Sequence, residues 1–472
     1  MKRIAFAIAF LILLIPYATT AQQKRYEANW KSLDSRPIPQ WYDDSKFGIF
    51  VHWSLNSVPE LPVKSMEADW LWNSLKDPNS ASSKTWRAMY GDKFQYQDLA
   101  PLFKAELFAP DKWADLFARS GAKYVVLTSK HHDGFCLFQS DYSWNWNSVD
   151  VGPHRDIVGD LSKAVRAKGL KMGLYYSLYE WFHPWYLSDQ ALFVDSHMFP
   201  QIKEVVTRYK PSVLWTDGEW DRTSAQWKSE KILEWLYNES PVRDDVVVND
   251  RWGSETRGAH GGFYTSEFGG KDGWTKLSGM KKWEECRCVA RSWWGFARND
   301  SPSDYRTTTE LVHMLVEIVS RGGNLLLNVG PTRDGRIPVI TQERLLELGD
   351  WLRVNGEAIY GTHTWRAMSD GKNIKDTTAD PDDWQNKYST TKSIRYTAKE
   401  NAVYAISLVW PGKELALGEP KPSPDATVTM LGRSGTLKWR IVDGKMRIEV
   451  PQLSLDELPS RHAYVFKIIG VK

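Results

Sequence analysis

Cysteine is scarce in this sequence: only three of its 472 residues are cysteines, at positions 136, 286 and 288. An odd number cannot pair completely within one chain, so the sequence is not that of a small domain held by a disulfide framework. Cys286 and Cys288 are only two residues apart, and a bridge between such close neighbours would be strained. We therefore expect all three to be buried thiols that act as small apolar side chains.

Net charge is also small. Lysine and arginine number 61 and aspartate and glutamate 58, which leaves a net charge of +3 on 472 residues. Proteins that bind nucleic acids concentrate many more positive charges, so this balance argues against a nucleic-acid partner. A chain of this length is expected to form two or three domains with a large core.

Long apolar runs are absent apart from one near the amino terminus. Lys2 and Arg3 precede an apolar run over residues 4–15, and small residues follow as far as Ala21. This order predicts a secretory signal peptide, residues 1–21, because the run is shorter than the roughly 20 residues that span a membrane. We expect a secreted or periplasmic protein, or a lysosome-like location in a eukaryote, with no membrane span.

Tryptophan, by contrast, is abundant: the chain has 25 Trp beside 20 Tyr and 17 Phe. A hydrophobic core tolerates tryptophan but rarely needs so much of it. Tryptophan combines a flat apolar face with a polar edge, and the C–H faces of sugar rings stack on such surfaces. The composition therefore favours a protein that handles carbohydrates.

Short apolar runs alternate with helical patterns between residues 47 and 330. Six runs predict strands, at 47–53, 124–129, 170–177, 212–216, 246–249 and 324–329. Helices are predicted over 111–120, 156–168 and 307–321, and Thr307 and Glu310 have the spacing of a capping box. Nearly continuous apolar strands that alternate with helices are typical of a (β/α)8-like TIM barrel, which we assign to residues 22–360.

The pattern changes after Gly361. Strand-like alternation without intervening helices covers 393–398, 402–410, 426–431, 436–441, 445–450 and 463–469. The pair Asp443-Gly444 is a strong hairpin-turn signal. We predict a C-terminal antiparallel β-sandwich over residues 361–472. Its role is open between binding sugar and bracing the barrel, and we favour bracing.

Polar and aromatic side chains follow the predicted barrel strands. In a parallel barrel, residues just past the carboxyl end of each strand face the mouth of the active site. In chain order they are His52 and Trp53, His131 and His132, Tyr175 and Tyr176, Asp217, and residues 249–252. Side chains of these types suit a ligand rich in hydroxyl groups.

Asp217 is the first candidate for chemistry, since it ends an apolar run and precedes Gly218, which allows close approach of a ligand. A barrel that hydrolyses glycosides normally uses two carboxyl groups, one as nucleophile or base and one as acid. The second is expected from a later strand end. Glu267, between aromatic residues, and Glu284 are equal candidates from their positions, with Glu285 as a further rival.

Metal sites are not expected. Asp217, Glu219 and Asp221 have the alternating spacing of a calcium loop, but Arg222 and Lys228 stand where such a loop needs glycine and glutamate. The adjacent histidines after the second strand have no further histidine or cysteine at the spacing of a zinc site. Glu219 is instead expected to hold a neighbouring arginine or histidine.

Several long segments, in one consistent order, resemble the α-L-fucosidases of glycoside hydrolase family 29. They are FGIFVHW (47–53), KHHDGF (130–135), SWNWNSVDVGPHRD (143–156), EWFHP (180–184), LWTDGEW (214–220), VVVNDRWG (246–253) and GGNLLLNVGPTRDG (322–335). The resemblance runs from about residue 41 to 365 and continues faintly to the C-terminus. It implies a catalytic (β/α) barrel, a C-terminal β-sandwich and a retaining mechanism through a covalent fucosyl-enzyme.

The resemblance also implies roles for the two carboxyl groups. Asp217 matches the position of the family's nucleophile. Glu267, in TSEF, matches the acid/base of bacterial relatives, whereas Glu284, in WEEC, matches a glutamate once favoured in animal-type members. The resemblance favours Glu267 as the acid/base.

Further residues match sugar-binding positions of the family. Those that match residues binding fucose hydroxyls are His52, His131, His132, Tyr175, Trp215 and Arg251. Trp294 matches an aromatic residue that packs against the methyl group of the sugar. The family often has Glu-Trp where this chain has Asp69-Trp70, with Glu67 two residues earlier, so Asp69 is expected to bind sugar with a shorter side chain.

The implied reaction is release of terminal α-L-fucose from fucosylated oligosaccharides or glycoconjugates, without metal or cofactor. Four loop tryptophans either shape a site for the leaving group or pack within the fold: Trp72, Trp86, Trp144 and Trp146.

Overall fold

The computed structural model describes residues 24–60, 69–268, 281–291, 294–370, 372–373 and 394–471. The predicted signal peptide and Glu67 lie outside these ranges, so the signal peptide stays a prediction. Within them, no helix has both the length and the apolar character that crossing a membrane requires.

Eight parallel strands form one curled sheet. They are β1 (Phe47–Val51), β2 (Tyr124–Lys130), β3 (Lys171–Ser177), β4 (Val213–Asp217), β5 (Val247–Val248), β6 (Tyr264–Glu267), β7 (Trp283–Cys288) and β8 (Gly323–Val329). Their order is β5-β4-β3-β2-β1-β8-β7-β6. The N–H of Phe263, just before β6, donates to the carbonyl of Val248 (3.0 Å), so the two outer strands meet. The TIM-barrel prediction is confirmed.

Strand β1 illustrates how the apolar runs build the barrel, because each of its residues is buried. Phe50 lies in the barrel interior with Tyr124 and Trp215. Ile49 and Val51 belong to the outer core beneath the helices. Successive side chains of a strand point to opposite faces, so a continuous apolar run fills both layers.

Helices cover the outer face of the sheet. The α-helices are α1 (Trp30–Leu33), α2 (Gln40–Ser45), α3 (Leu71–Leu75), α4 (Ala81–Tyr90), α5 (Pro110–Arg119), α6 (Ile157–Ala167), α7 (Pro184–Ser188), α8 (Gln190–Phe193), α9 (Phe199–Tyr209), α10 (Ser224–Trp227), α11 (Ser229–Asn238), α12 (Thr308–Ser320) and α13 (Val339–Asn355). Shorter 3₁₀ turns lie at Leu55–Ser57, Tyr96–Leu102, Pro302–Asp304, Gly356–Ala358 and Leu455–Glu457, and a π turn at Val194–Met198. The predicted capping box of Thr307 and Glu310 is confirmed at the start of α12.

Strands β6 and β7 lack the apolar runs from which the other six were predicted. β7 reads WEECRC and is nevertheless fully buried, because its charged side chains have partners: Glu285 pairs with Arg287 at 2.6 Å. Cys286 and Cys288 lie on this strand, and both are buried free thiols, as is Cys136. The prediction for the cysteines is confirmed.

Two antiparallel sheets follow the barrel. One has the order β10-β9-β11-β12-β17-β14 and the other β13-β16-β15. The strands are β9 (His363–Ser369), β10 (Lys372–Asn373), β11 (Ile394–Lys399), β12 (Ala402–Ser407), β13 (Glu414–Leu417), β14 (Pro422–Met430), β15 (Trp439–Val442), β16 (Lys445–Glu449) and β17 (Tyr464–Val471). The hairpin between β15 and β16 turns at Asp443 and Gly444, both with positive φ, as the primed turn of a tight hairpin requires.

The larger sheet packs against the barrel on one face and against the smaller sheet on the other. Tyr404 and Ile406 join the barrel core, whereas Val403 and Ala405 join the core between the two sheets. Glu317 of α12 pairs with Arg395 of β11. These contacts agree with a bracing role, while the predicted boundary at residue 361 stays a prediction.

Candidate active site

A cavity of about 270 Å³ opens at the carboxyl ends of the barrel strands. It is lined by Phe50, His52, Asp69, Trp70, His131, His132, Tyr175, Trp215, Asp217, Trp220, Arg251, Glu267, Phe268 and Trp294. All ten predicted site residues are among them. The four additional residues, Phe50, Trp70, Trp220 and Phe268, are aromatic. Each lies within three positions of a predicted site residue, so they could have been found as aromatic neighbours of the predicted residues.

Asp217 lies at the end of β4 with its carboxylate held by two donors. The Tyr175 hydroxyl donates to Oδ2 (2.8 Å) and Arg251 Nη1 donates to Oδ1 (2.8 Å). Burial is the largest single influence and would raise the pKa of Asp217, but Arg251, His132 and Arg257 together outweigh it and hold the pKa well below the usual range. Gly218 follows with φ of 75°, and a Cβ there would meet Tyr179 at 2.5 Å. Asp217 is therefore ionised and fixed in orientation.

Arg251 contacts both candidate catalytic carboxylates. Its Nη2 lies 3.1 Å from Oε1 of Glu267, while Nη1 bonds Asp217. Nε donates to Thr265 Oγ1 (3.0 Å), and the guanidinium lies over the ring of Trp215, 4.4 Å from its centroid. Because one guanidinium bridges them, Asp217 and Glu267 lie within about the width of one sugar ring.

Glu267 ends β6 and is less enclosed than Asp217. Its side chain is 34% exposed, against 11% for Asp217. Phe268 follows with φ of 50°, an uncommon value for a residue other than glycine. The Glu267 carboxyl is thus open to solvent and to a departing group.

Glu284, the rival of Glu267, lies below the cavity rather than in its wall. It is fully buried and accepts hydrogen bonds from the hydroxyls of Tyr42 (2.7 Å) and Tyr124 and from Nε1 of Trp215 (2.9 Å). Burial raises the pKa of Glu284. Its contacts hold Trp215 beneath the cavity.

Removal of the Glu284 carboxyl is expected to damage the fold. Glu284→Ala leaves the three donors that surround it without a partner in a dry core. A loss of about 3 kcal/mol or more in the free energy of unfolding is expected, measured by urea denaturation. An unchanged free energy of unfolding would contradict this structural role.

His52 is held in one orientation by a chain of hydrogen bonds. Asn328 Nδ2 donates to the carbonyl of Trp294 (2.6 Å). This hydrogen bond directs the Asn328 Oδ1 towards Nδ1 of His52, at 2.8 Å. Burial lowers the pKa of His52 to about 4, so the ring is neutral at neutral pH. With Nδ1–H donating to Asn328, Nε2 is left as an acceptor for a ligand hydroxyl.

The adjacent histidines are also neutral. Burial lowers the pKa of His132 to about 4, and that of His131 well below its ordinary value. His132 Nδ1 lies 2.6 Å from Ser177 Oγ, and Nε2 lies 3.7 Å from Asp217. His131 stacks on Tyr175, with ring centroids 5.5 Å apart. Both rings can thus exchange hydrogen bonds with ligand hydroxyls.

Asp69 brings a third carboxyl group to the cavity. It is buried, and its Oδ1 has no hydrogen-bond partner among the described residues. Burial raises the pKa of Asp69 to about 7, and the nearby charges of Glu267 and Asp217 add to the effect. An unpartnered buried oxygen is costly for the free protein, so it invites a hydroxyl donor from a ligand.

Aromatic rings form much of the wall. The ring centroid of Trp294 lies 4.8 Å from that of His52, 5.9 Å from Phe50 and 5.1 Å from Phe268. Trp70 and Trp220 stack on each other at 5.8 Å. These surfaces suit the apolar faces of a sugar.

The four loop tryptophans, Trp72, Trp86, Trp144 and Trp146, lie in different environments. Trp86 is buried, and Trp146 donates its Nε1–H to the carbonyl of Asp133 (2.8 Å). Trp72 stacks on Trp181. Trp144 is 80% exposed. Three of the four therefore pack in the fold.

Glu219 pairs with an arginine, as expected, and the partner is Arg257 (2.5 Å). No pattern in the sequence pointed to Arg257. Among the described residues, no three His, Cys, Asp or Glu side chains are grouped as a metal ion would require.

A (β/α) barrel whose cavity holds two neighbouring carboxyl groups among aromatic rings has the features of a glycoside hydrolase. Comparisons with known proteins agree. The sequence model of the α-L-fucosidase family matches residues 13–357, and that of the α-L-fucosidase C-terminal domain matches residues 385–469.

Similar proteins carry the same assignment. The chain is 44% identical to an α-L-fucosidase of Branchiostoma floridae, over 98% of this chain and 99% of that one. It is 42% identical to the tissue α-L-fucosidase of Homo sapiens, over 99% and 97%. The crystal structure of Thermotoga maritima α-fucosidase in complex with fucose superposes with a TM-score of 0.78 at 35% identity, covering 94% of this chain and all of that one. The chain belongs to the α-L-fucosidase family, glycoside hydrolase family 29, and is a glycosidase of that type.

Proposed function

We propose that the chain is an exo-acting, retaining α-L-fucosidase that releases terminal α-L-fucose from fucosylated oligosaccharides or glycoconjugates. The observation that carries the proposal is the pair Asp217 and Glu267, bridged by Arg251 at the wall of one cavity. A cavity of about 270 Å³ suits one sugar ring rather than a chain, which supports removal of a terminal residue. A fucose-binding protein without catalysis would not need both carboxyl groups.

In the first step of this mechanism, Asp217 attacks the anomeric carbon of fucose. The bond to the leaving oxygen breaks, and Glu267 gives that oxygen its proton. Arg251 and the Tyr175 hydroxyl aim the Asp217 carboxylate and keep it ionised. Glu267 lines the cavity and is partly exposed, so a departing oxygen can reach its carboxyl group.

In the second step, water attacks the same carbon from the face that the leaving group left. Glu267 now accepts a proton from the water, and the ester bond to Asp217 breaks. Two displacements at one carbon restore the original configuration. Retention requires the two carboxyl groups to be close, which their shared guanidinium supports.

The remaining lining residues supply recognition. We assign the hydroxyl groups of fucose to His52, His131, His132 and Asp69, with Tyr175, Trp215 and Arg251 shaping the floor. Trp294, packed against Phe50 and Phe268, offers an apolar surface to the methyl group of the sugar.

Hydrolysis of an aryl α-L-fucoside followed by proton NMR tests the proposal. The α-anomer of L-fucose is expected as the first product, with the β-anomer appearing only as the free sugar equilibrates. First release of the β-anomer would exclude retention, and the absence of any fucose would exclude the activity.

Asp69→Asn is expected to raise the free energy of unfolding while it weakens the binding of L-fucose. The raised pKa means that Asp69 lowers stability increasingly as the pH rises from about 4 to 7, since the unfolded chain ionises more readily. The variant should gain about 1–3 kcal/mol in the free energy of unfolding at pH 8, and the gain should shrink towards pH 4. Urea unfolding at both pH values measures it.

The same variant should bind L-fucose about 10- to 100-fold more weakly at pH 8, because a charge-assisted hydrogen bond is lost. Isothermal titration calorimetry checks this. Unaltered affinity would remove Asp69 from the sugar-binding set, and equal stability at pH 8 would mean that its carboxyl is not strained.

We further propose that the chain is exported, to the periplasm or the medium, or to a lysosome-like compartment in a eukaryote. The proposal is supported by the amino-terminal order of two basic residues, an apolar run and small residues ending at Ala21.

A further inference from the structure

Arg257 lies beside the candidate nucleophile Asp217 but is not one of the ten predicted site residues. It lies in the irregular segment between β5 and β6, and its side chain is 41% exposed. Its Nη2 is 3.7 Å from Oδ1 of Asp217, the oxygen that also accepts from Arg251. Two guanidinium groups therefore approach one carboxylate oxygen.

A buried carboxylate anchors Arg257. Arg257 Nε donates to Oε1 of Glu219 at 2.5 Å. Glu219 is 1% exposed, and its Oε2 has no hydrogen-bond partner among the described residues. Burial raises the pKa of Glu219, and the positive charge of Arg257 opposes this rise. Arg257 is thus held through Nε by Glu219, while its Nη2 approaches Asp217.

The two arginines differ in what they touch. Arg251 divides its guanidinium between Asp217 and Glu267, whereas the acidic partners of Arg257 within the described chain are Asp217 and Glu219. When Glu267 ionises during the reaction, it competes with Asp217 for Arg251. Within the described chain Arg257 does not pair with Glu267, so ionisation of Glu267 does not weaken the contact between Arg257 and Asp217.

We propose that Arg257, anchored by Glu219, is a positioning residue that stabilises Asp217 as the leaving carboxylate in the second displacement. This inference rests on the proposed retaining mechanism. In that displacement, the bond between the anomeric carbon and the Asp217 oxygen breaks and its electron pair returns to the carboxylate. Water supplies the new bond, and its proton goes to Glu267, which was left ionised by the first step.

The charged and titratable groups that face Asp217 come from several elements. They are Arg251 and Arg257 after β5, Tyr175 on β3, His131 and His132 after β2, His52 after β1, Glu219 after β4, and Asp69 and Glu267 across the cavity. The histidines are neutral, so among the described residues the two arginines supply the cationic charge within 4 Å of Asp217.

Reactivation of a trapped fucosyl-enzyme measures the second displacement by itself. The enzyme is inactivated with a 2-deoxy-2-fluoro-fucosyl fluoride, freed of reagent, and followed as activity returns. Arg257→Ala is expected to reactivate about three- to fivefold more slowly than the unaltered enzyme. Arg257→Lys should restore most of the rate, because it keeps the charge.

Two further variants serve as controls for the reactivation experiment. Glu219→Gln/Arg257→Ala removes both charges, so a slow rate in it cannot come from a buried carboxylate left unpaired. Arg353→Ala is the matched control, since Arg353 pairs with Asp350 on the exposed face of α13. The control should reactivate at the unaltered rate.

The pH profile gives an independent reading. The acidic limb of kcat/KM should move up by about half a pH unit in Arg257→Ala and return in Arg257→Lys, because a cation near Asp217 lowers the pKa of its carboxyl. A reactivation rate and an acidic limb both unchanged in Arg257→Ala would overturn the inference. Failure of the unaltered enzyme to form a trapped adduct would instead refute the retaining mechanism itself.

Discussion

Asp217→Ala is expected to reduce turnover of aryl and natural fucosides by about 10⁴-fold or more, because the proposed mechanism forms its bond to the anomeric carbon through the Asp217 carboxylate. The fold should survive. Arg251 keeps its contacts with Glu267 and Thr265, and the barrel strands do not depend on the carboxylate. Steady-state kinetics and circular dichroism on the same preparation check both expectations.

The azide ion supplies a stereochemical control for this variant. Azide can occupy the space left by the Asp217 carboxylate and attack the sugar directly. A single displacement inverts configuration, so the expected product is a β-L-fucosyl azide. Turnover close to that of the unaltered enzyme, or an azide product of α configuration, would show that Asp217 is not the nucleophile.

Glu267→Ala is expected to lower activity on natural linkages by about 10²–10⁴-fold, since a poor leaving group needs the proton that general acid catalysis supplies. Aryl fucosides with an activated leaving group need little protonation, so their first step should be slowed much less. Their second step still lacks a base, and the fucosyl-enzyme should accumulate. Pre-steady-state kinetics with the two substrate types measures this split.

Azide again discriminates. It needs no base to attack the fucosyl-enzyme, so it should accelerate Glu267→Ala on an activated aryl fucoside and yield an α-L-fucosyl azide after two displacements. Glu284→Gln tests the rival assignment: Glu284 bonds Trp215 from outside the cavity wall, so azide should not accelerate this variant. Near-full activity of Glu267→Ala on both substrate types would remove Glu267 from the mechanism.

The fold could be predicted where burial and hydrophobicity coincide. Six barrel strands have apolar runs because both of their faces pack against apolar neighbours. Strands β6 and β7 break this rule. β7 buries the local pair Glu285 and Arg287. It also buries Glu284, whose partners come from distant parts of the chain that a local pattern does not reveal.

The site could be predicted where geometry ties it to strand ends. Asp217 ends β4, His52 and His131 directly follow β1 and β2, and Tyr175 lies near the end of β3, so the barrel architecture alone brings them together. Asp69 does not follow a strand, and only the family resemblance pointed to it.

Arg257 neither lies at a strand end nor belongs to the residues that the family resemblance pointed to. It lies in the irregular segment between β5 and β6, and its position depends on a contact with Glu219, whose own location depends on the folded barrel. Residues placed by loop conformation and long-range pairing of this kind cannot be found from strand patterns.

Peptide mapping of the enzyme trapped with a 2-deoxy-2-fluoro-fucosyl fluoride tests the central assignment most directly. The account predicts one fluorofucosyl group per chain, joined as an ester to the peptide that contains Asp217. Attachment to the peptide that contains Glu267, or inactivation that leaves every peptide unlabelled, would contradict it.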